Sequence, residues 1–175
     1  LMSDVSVVGA GAMGGALAQV LAAAGADVAI WNRTVTRAQA LIGPRLHIAE
    51  SVAASLSSSP LTVLSVSDHE VARTLVAQAD VDLRGRVVAS TSPVSPDQAS
   101  ALAATVSAGG GSYLDLAILG SASEVRSGAG VFLLSGDRAA YATHCGWFEQ
   151  IGTAAWVDDQ PGAAYVSGTA VVLGF

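Results

Sequence analysis

A glycine-rich segment near the start of the chain constrains the fold more than any other feature. Residues 7–14 read VVGAGAMG and place three glycines in a G-x-G-x-x-G pattern between an apolar run and an alanine-rich run. In that context Gly9 allows a tight turn, Gly11 lets backbone amides approach a pyrophosphate, and Gly14 lets a helix pack closely on a strand. The amides and the dipole at the start of that helix attract phosphates. The pattern therefore predicts a strand–turn–helix unit that binds a dinucleotide.

The rest of the chain alternates short apolar runs with alanine-rich runs. This alternation is typical of a parallel sheet covered on both faces. We therefore predict an α/β fold of the Rossmann type, with a doubly wound, mostly parallel sheet and helices on both faces. The predicted strands are 5–8, 28–31, 46–48, 61–66, 86–89, 113–118, 131–134 and 154–157. The predicted helices are 13–24, 36–41, 51–56, 70–78, 96–107 and 138–149, with Asp68 and Asp137 as N-caps of the fourth and sixth.

A single domain accounts for most of the chain. With 51% hydrophobic and 13% charged residues, the chain can bury a full core. We assign residues 1–160 to a Rossmann domain that binds the dinucleotide. Residues 162–175 are uncharged, apolar and helical in character, so they need a further apolar surface to pack on. We expect residues 161–175 to begin an interdomain helix that leads to a larger architecture or packs on a partner subunit.

Charge and cysteine content exclude several classes of function. A net charge of −6 and a pI near 4.7 argue against binding to nucleic acid or to an anionic membrane, because such partners need a basic face. Residues 5–26 are uncharged, but their five glycines argue against a membrane span. Cys145 is the only cysteine, which excludes an internal disulfide and favours a cytoplasmic setting. His47, His69 and His144 lack metal-ligand spacing, so we expect no metal site.

The residues after the second predicted strand indicate which dinucleotide is bound. Asn32 stands where an acidic residue usually binds the ribose 2′-hydroxyl of NAD and repels a 2′-phosphate. Arg33 and Arg37 can pair with that phosphate and Thr34 can donate a hydroxyl, unless the two arginines are simply solvated. We therefore predict NADP (NADPH) as the cofactor. The cofactor-binding residues predicted from these two segments are Gly9, Gly11, Ala12, Met13, Gly14, Asn32, Arg33, Thr34 and Arg37.

These motifs together resemble the superfamily of β-hydroxyacid dehydrogenases and imine reductases. GAGAMGGALAQVLAAAGADVAIWNRT resembles its cofactor motif, and LSVSDHEVARTL is similar to the strand and loop that lie along the cofactor. The second match implies cofactor contacts from Ser65, Val66 and Ser67. STSPVSPDQASALA is similar to the substrate-loop motif, which implies that Ser92 lies beside both substrate and nicotinamide. YLDLAILGSASEVRSGAGVFLLSG resembles the segment that walls the substrate site.

The resemblance is closer to the imine reductases than to the dehydrogenases. In the β-hydroxyacid dehydrogenases a lysine on the interdomain helix is the general acid/base, but this chain has no lysine. That position falls at or near Gly168, where imine reductases usually carry Asp or Tyr. DDQPGAAYVSGTAVVL resembles the imine reductase version of this region, and Tyr165 lies close by. Both families complete the active site across a dimer with a C-terminal helical domain, which we expect to be absent from this chain, so a homodimer through that domain is expected.

The resemblance implies NADPH-dependent hydride transfer to the C=N bond of an imine or iminium, with a small imine or carbonyl compound as the substrate. Ser92 and Tyr165 are the candidate catalytic residues, although Ser92 could instead cap the helix that starts at Pro96 and Tyr165 could be a packing residue. Asp115, expected at a strand end, could orient or brace the substrate loop. Two alternatives stay open. The chain could be a β-hydroxyacid dehydrogenase or semialdehyde reductase, which the absence of lysine disfavours, or a catalytically silent dinucleotide-binding module.

Overall fold

The computed structural model of the chain describes residues 2–92 and 95–173. Within them the chain forms one eight-stranded sheet and eight helices. The strands are β1 (Val5–Val8), β2 (Val28–Trp31), β3 (Leu46–Ile48), β4 (Leu61–Leu64), β5 (Val87–Ser90), β6 (Ser112–Leu119), β7 (Gly130–Gly136) and β8 (Gly152–Asp158). The helices are α1 (Ala12–Ala23), α2 (Val35–Gln39), α3 (Val52–Ser58), α4 (His69–Ala79), α5 (Pro96–Ala108), α6 (Ala122–Arg126), α7 (Arg138–Ile151) and α8 (Ala163–Leu173).

The order of the strands places a crevice at the middle of the sheet. The order is β3-β2-β1-β4-β5-β6-β7-β8, so the chain builds outward from β1 in one direction and then returns to its other side with β4. The strands β1, β2 and β4 end level with one another, because Val8 pairs with Trp31 on one side and with Leu64 on the other. In open α/β sheets, ligands bind beyond the carboxyl ends of the strands at such a reversal.

The sheet is mostly parallel, as the sequence predicts. The pairs from β3 to β6 are parallel, β6 and β7 are antiparallel, and β7 and β8 are again parallel. The antiparallel pair is possible because the connection between β6 and β7 holds only the short helix α6 and its flanking turns. The predicted fold class, a Rossmann-type α/β sheet, is therefore confirmed.

Helices cover both faces of the sheet. On one face, α1 buries Leu17 and Leu21 among the side chains of the central strands. On the other face, α3 and α5 bury Leu56 and Leu102. The helix α8 packs against β6, β7 and β8. Each large apolar side chain that is fully buried stabilises the fold by roughly 1.5–3 kcal/mol. The helices on both faces therefore stabilise the sheet whose strand ends form the crevice.

Several element bounds differ from the predicted ones. The carboxylates of Asp68 and Asp137 accept hydrogen bonds from backbone N–H groups in the first turns of α4 and α7, which confirms both N-caps. The strand β4 ends at Leu64 rather than at Val66, because the chain turns there toward α4. The helix α6 was not predicted, because five residues are too few to show a helical period. Asp115 lies inside β6 and not at its end.

Candidate cofactor site

The turn between β1 and α1 has the geometry that a pyrophosphate needs. Gly9 has a φ of 114°, and a Cβ on it would overlap the carbonyl oxygen of Ser65. A Cβ on Gly14 would overlap the carbonyl oxygen of Gly9, so this glycine lets α1 approach the turn. A Cβ on Gly11 would meet no protein atom within 4 Å, and no side chain caps the helix at this residue. The first N–H groups of α1 are therefore available to phosphate oxygens.

Asn32 joins the two loops that border the crevice. Its side-chain oxygen accepts a hydrogen bond from the Ala10 N–H at 2.9 Å, and its side-chain amide donates to the Thr34 carbonyl oxygen at 2.8 Å. A carboxylate at this position could accept the first bond but could not donate the second. Asn32 thus does more than remove the negative charge that would repel a 2′-phosphate. It holds the start of α2 beside the glycine-rich turn.

Two arginines stand at the outer end of the crevice. Arg33 and Arg37 are exposed, and within the described part of the chain neither is in a salt bridge with a carboxylate. Thr34 lies between them and is also exposed. Guanidinium groups bind phosphate through paired N–H donors. This end of the crevice therefore suits a phosphate on the ribose of the adenosine half.

The crevice opens into a cavity of about 660 Å³. It brings together all of the predicted cofactor-binding residues except Ser92, and also the predicted catalytic residue Tyr165. The predicted residues that line it are Gly9, Gly11, Ala12, Met13, Gly14, Asn32, Arg33, Thr34, Arg37, Ser65, Val66, Ser67 and Tyr165. The lining also includes residues that sequence reasoning missed, namely Trp31, Val71, Leu75, Thr91 and Ile118.

The missed residues give the cavity its apolar walls. Val71 and Leu75 are four residues apart on α4 and therefore share one face of that helix. Val71 is 45% exposed, which is unusual for a large apolar side chain but is explained by its place on the cavity wall. Their helical spacing was the only signal in the sequence that could have found them. Trp31 and Ile118 come from the ends of β2 and β6, where apolar residues are expected in any case.

Ser92 lies beneath the cavity and does not line it. It is fully buried, and its hydroxyl donates to the Val66 carbonyl oxygen at 2.7 Å. Its neighbour Thr91 lines the cavity and donates to the Ser65 hydroxyl at 3.3 Å. The alternative role as a helix cap is wrong, because Ser95 caps α5 with a reciprocal bond from Gln98. Ser92 thus holds the loop after β4 in place.

Tyr165 and Gly168 of α8 have different surroundings. Tyr165 lines the cavity, and its hydroxyl donates to the Leu116 carbonyl oxygen at 3.5 Å. Burial, and to a lesser degree the Asp115 carboxylate, raise the pKa of the Tyr165 phenol above its usual value, so this group stays protonated and acts as a hydrogen-bond donor. Gly168 packs on the sheet, where a Cβ would lie 3.1 Å from a methyl carbon of Leu119. A side chain at position 168 would thus meet the sheet and not the cavity.

Metal clusters and membrane-spanning helices are both absent from the residues that the structure describes. In these ranges no group of three or more histidine, cysteine or acidic side chains could hold a metal ion. Among the helices of the same ranges, none is both long and apolar enough to cross a membrane. The polar groups that line the cavity are backbone N–H groups, hydroxyl groups, one side-chain amide, one phenol and two guanidinium groups, a set that fits a phosphorylated dinucleotide.

Comparisons with known proteins show which proteins the chain resembles. The sequence profile of the NAD binding domain of 6-phosphogluconate dehydrogenase matches residues 4–166. Cytokine-like nuclear factor N-PAC of Danio rerio is 27% identical over 152 residues, which make up 85% of this chain and 33% of that protein. The matched part of N-PAC is therefore a minor part of a longer protein.

Two solved structures resemble almost the entire chain. A reductive aminase from Aspergillus terreus, in complex with NADPH and ethyl-5-oxohexanoate, is 27% identical with a TM-score of 0.92, over 99% of this chain and 61% of that one. The Streptomyces aurantiacus imine reductase is 31% identical with a TM-score of 0.90, over 97% of this chain and 60% of that one. The chain thus spans less than two thirds of the length of each of these proteins.

Proposed function

The chain belongs to the family of the NAD binding domain of 6-phosphogluconate dehydrogenase, and from that premise we propose that it binds NADPH and serves hydride transfer to a C=N bond. The membership confirms the resemblance to the superfamily and makes the chain an NAD(P)-binding domain. The likeness to a reductive aminase and an imine reductase supports a C=N bond as the hydride acceptor. The substrate would be a small imine or carbonyl compound.

The preference for NADPH rests on one observation, the environment of Asn32. Its amide donates to the Thr34 carbonyl and its oxygen accepts from the Ala10 N–H. These two bonds hold a neutral side chain at the position where NAD-binding proteins usually carry an aspartate or glutamate. Arg33 and Arg37 lie in the same cavity wall without a carboxylate partner among the described residues. Two cations and no anion favour a 2′-phosphate over a 2′-hydroxyl.

The residues of the cavity bind and orient, and the bound cofactor supplies the hydride. The first N–H groups of α1 and the turn at Gly11 would hold the pyrophosphate. Tyr165, together with Ile118 and Thr91, would face the nicotinamide end of the cavity, because these residues lie beyond the glycine-rich turn on the side of β5 and β6. The neutral phenol would donate a hydrogen bond to the substrate or to a water that carries the proton. Ser92 would contribute indirectly, because its hydrogen bond to the Val66 carbonyl fixes a residue of the cavity wall.

A catalytically silent dinucleotide-binding module is the second candidate. It is favoured by the high pKa of Tyr165, because a phenol that holds its proton is a weak general acid. The similarity to N-PAC, whose name denotes a nuclear factor, points the same way. A β-hydroxyacid dehydrogenase is less well supported, because this chain has no lysine to serve as its general acid/base.

A second domain would complete the substrate pocket. The chain spans about 61% of the A. terreus reductive aminase chain, and α8 would continue into an interdomain helix. We propose that residues 1–160 form the cofactor domain, that residues 161–175 begin this helix, and that a helical domain beyond it closes the substrate pocket in a homodimer. The exposed apolar side chains Val166 and Val171 of α8 are consistent with a surface that such a domain covers.

Parallel titrations of the chain with NADPH and NADH test this function. We expect NADPH to bind more tightly, and the double variant Arg33→Ala, Arg37→Ala to lose that advantage while it binds NADH as before. The matched control is Arg84→Ala, Arg138→Ala, which removes the same charge at two arginines outside the cavity lining. Equal affinity for both cofactors in the unmodified chain would contradict the preference. Oxidation of NADPH by a cyclic imine, but not formation of NADPH from a 3-hydroxy acid, would then separate the proposed reaction from its alternatives.

A further inference from the structure

The first turn of α8 has no cap of its own. Gly162 precedes the helix, and its carbonyl oxygen accepts a bond from the Val166 N–H at 3.2 Å. A serine, threonine, asparagine or aspartate at this position usually binds free N–H groups of the first turn, but glycine has no side chain that could do so. These N–H groups need acceptors from another part of the fold.

Side chains from two strands of the sheet supply those acceptors. Asp115 of β6 is fully buried and accepts a hydrogen bond from the Gly162 N–H. Ser135 of β7, which is also buried, accepts one from the Ala164 N–H at 3.0 Å. The Ser135 hydroxyl donates to Asp115 Oδ2 at 3.5 Å, and the Tyr113 hydroxyl donates to Asp115 Oδ1 at 2.6 Å. One buried carboxylate therefore joins donors from β6, β7 and the start of α8.

The carboxylate suits this position because all three of its partners are donors. Burial raises the pKa of Asp115, while the bonds from Tyr113, Gly162 and Ser135 favour its ionised form and offset part of that rise. The positive end of the α8 dipole favours the same form. An asparagine at position 115 would have one oxygen acceptor and one amide donor, so its amide group would face a donor.

Two close contacts fix α8 on either side of Tyr165. Gly162 has a φ of 90°, and a Cβ on it would lie 2.7 Å from the Cα of Pro96 at the start of α5. Two turns further on, Gly168 packs directly on Leu119. Tyr165 lies between these contacts and reaches the cavity wall. Its place in the cavity thus depends on how α8 packs on the sheet, and the Asp115 carboxylate binds the residue that precedes the first turn of this helix.

We propose that Asp115 is a positioning residue, which binds the first turn of α8 to the sheet and thereby fixes the Tyr165 hydroxyl at the wall of the cofactor cavity. Asp115 itself is buried and does not line the cavity. Its effect on turnover rests on the proposed function, whereas its effect on the place of Tyr165 does not.

The test is ¹⁹F NMR of the chain with 3-fluorotyrosine at its three tyrosines. The Tyr165 resonance is assigned with Tyr165→Phe. Tyr141 packs against Trp156 with ring centroids 5.0 Å apart and ring planes tilted by 44°, outside the Asp115 network, and serves as the internal control. We expect Asp115→Asn to move the Tyr165 resonance toward that of a solvent-exposed tyrosine and to leave the Tyr141 resonance unchanged. Ser135→Ala, which removes the acceptor for Ala164 and the weakest of the three donors to Asp115, should produce a smaller shift in the same direction.

Each result supports or overturns the proposal. An unchanged Tyr165 resonance in Asp115→Asn would overturn it. If that variant does not fold, Ser135→Ala decides alone, and an unchanged Tyr165 resonance in it has the same meaning. The comparison uses ligand-free protein, so it stands even if NADPH does not bind and the proposed function fails. If the protein reduces an imine, Asp115→Asn should lower kcat by up to about 100-fold while the affinity for NADPH stays within about twofold.

Discussion

The substitution Asn32→Asp would change the choice of cofactor through two effects. The carboxylate can still accept the Ala10 N–H bond of 2.9 Å, but it would face the Thr34 carbonyl oxygen across the present 2.8 Å bond. The lost bond is worth about 0.5–1.5 kcal/mol and affects both cofactors. The new charge affects them differently, because it would repel a 2′-phosphate and accept a hydrogen bond from a 2′-hydroxyl.

The size of the differential effect follows from the charges. Two unit charges about 5 Å apart in water repel by roughly 0.8 kcal/mol, and a phosphate monoester carries nearly two charges at neutral pH. A new hydrogen bond to the 2′-hydroxyl of NADH adds about 1 kcal/mol. We therefore expect the ratio of the NADPH and NADH affinities to shift toward NADH by about 2–3 kcal/mol, or roughly 30- to 150-fold.

Isothermal titration of both cofactors into the chain measures this ratio. Asn32→Ala is the matched control, because it removes both hydrogen bonds of the side chain and adds no charge. It should weaken NADPH and NADH by similar factors. If Asn32→Asp left the ratio of the two affinities where it is in the unmodified chain, position 32 would not face the ribose, and the assignment of the phosphate end of the cavity would be refuted.

Three further results are expected. Gly9→Ala should lower the free energy of unfolding by at least about 1–3 kcal/mol in urea titrations, because the alanine would be strained at a φ of 114°. Gly11→Ala should leave the free energy of unfolding unchanged and weaken cofactor binding. Ser92→Ala should cost about 0.5–1.5 kcal/mol in the same titrations, because it removes the 2.7 Å hydrogen bond to the carbonyl of the half-buried Val66. Hydrogen bonds from Ser112 and from the first turn of α7 lower the pKa of Asp137. Its contribution to the free energy of unfolding should therefore be complete above the usual pKa of an aspartate, and it should disappear as the pH falls through the lowered pKa. Asp137→Asn should lose less stability than the unmodified chain over this acidic range.

Local patterns in the sequence predicted most of the fold. The glycine-rich turn and the caps at Asp68 and Asp137 depend on residues a few positions apart, so their spacing is visible in the chain itself. The short helix α6 was missed because five residues show no period. The α/β alternation predicted the parallel sheet, but the level ends of β1, β2 and β4, which border the crevice, were not predicted, because they depend on the register between strands that are far apart in the chain.

The polar interactions of the site were less predictable. The donors to Asp115 include Ser135 and Gly162, which are 20 and 47 positions away, and no periodicity connects such residues. Ser92 was expected beside the substrate, but the direction of its hydroxyl toward Val66 is set by the packing of two loops. The family resemblance placed the acid/base position at or near Gly168. Only the packing of α8 on the sheet shows that this glycine faces Leu119 and not the cavity.

The most direct test of the central claim is ³¹P NMR of NADPH bound to the chain. A free phosphate monoester has a second pKa of about 6. If Arg33 and Arg37 bind the 2′-phosphate, its resonance should shift on binding and titrate at a lower pH than in free NADPH, and both changes should disappear in Arg33→Ala, Arg37→Ala. A bound NADPH whose 2′-phosphate titrates as it does in free solution would contradict the account.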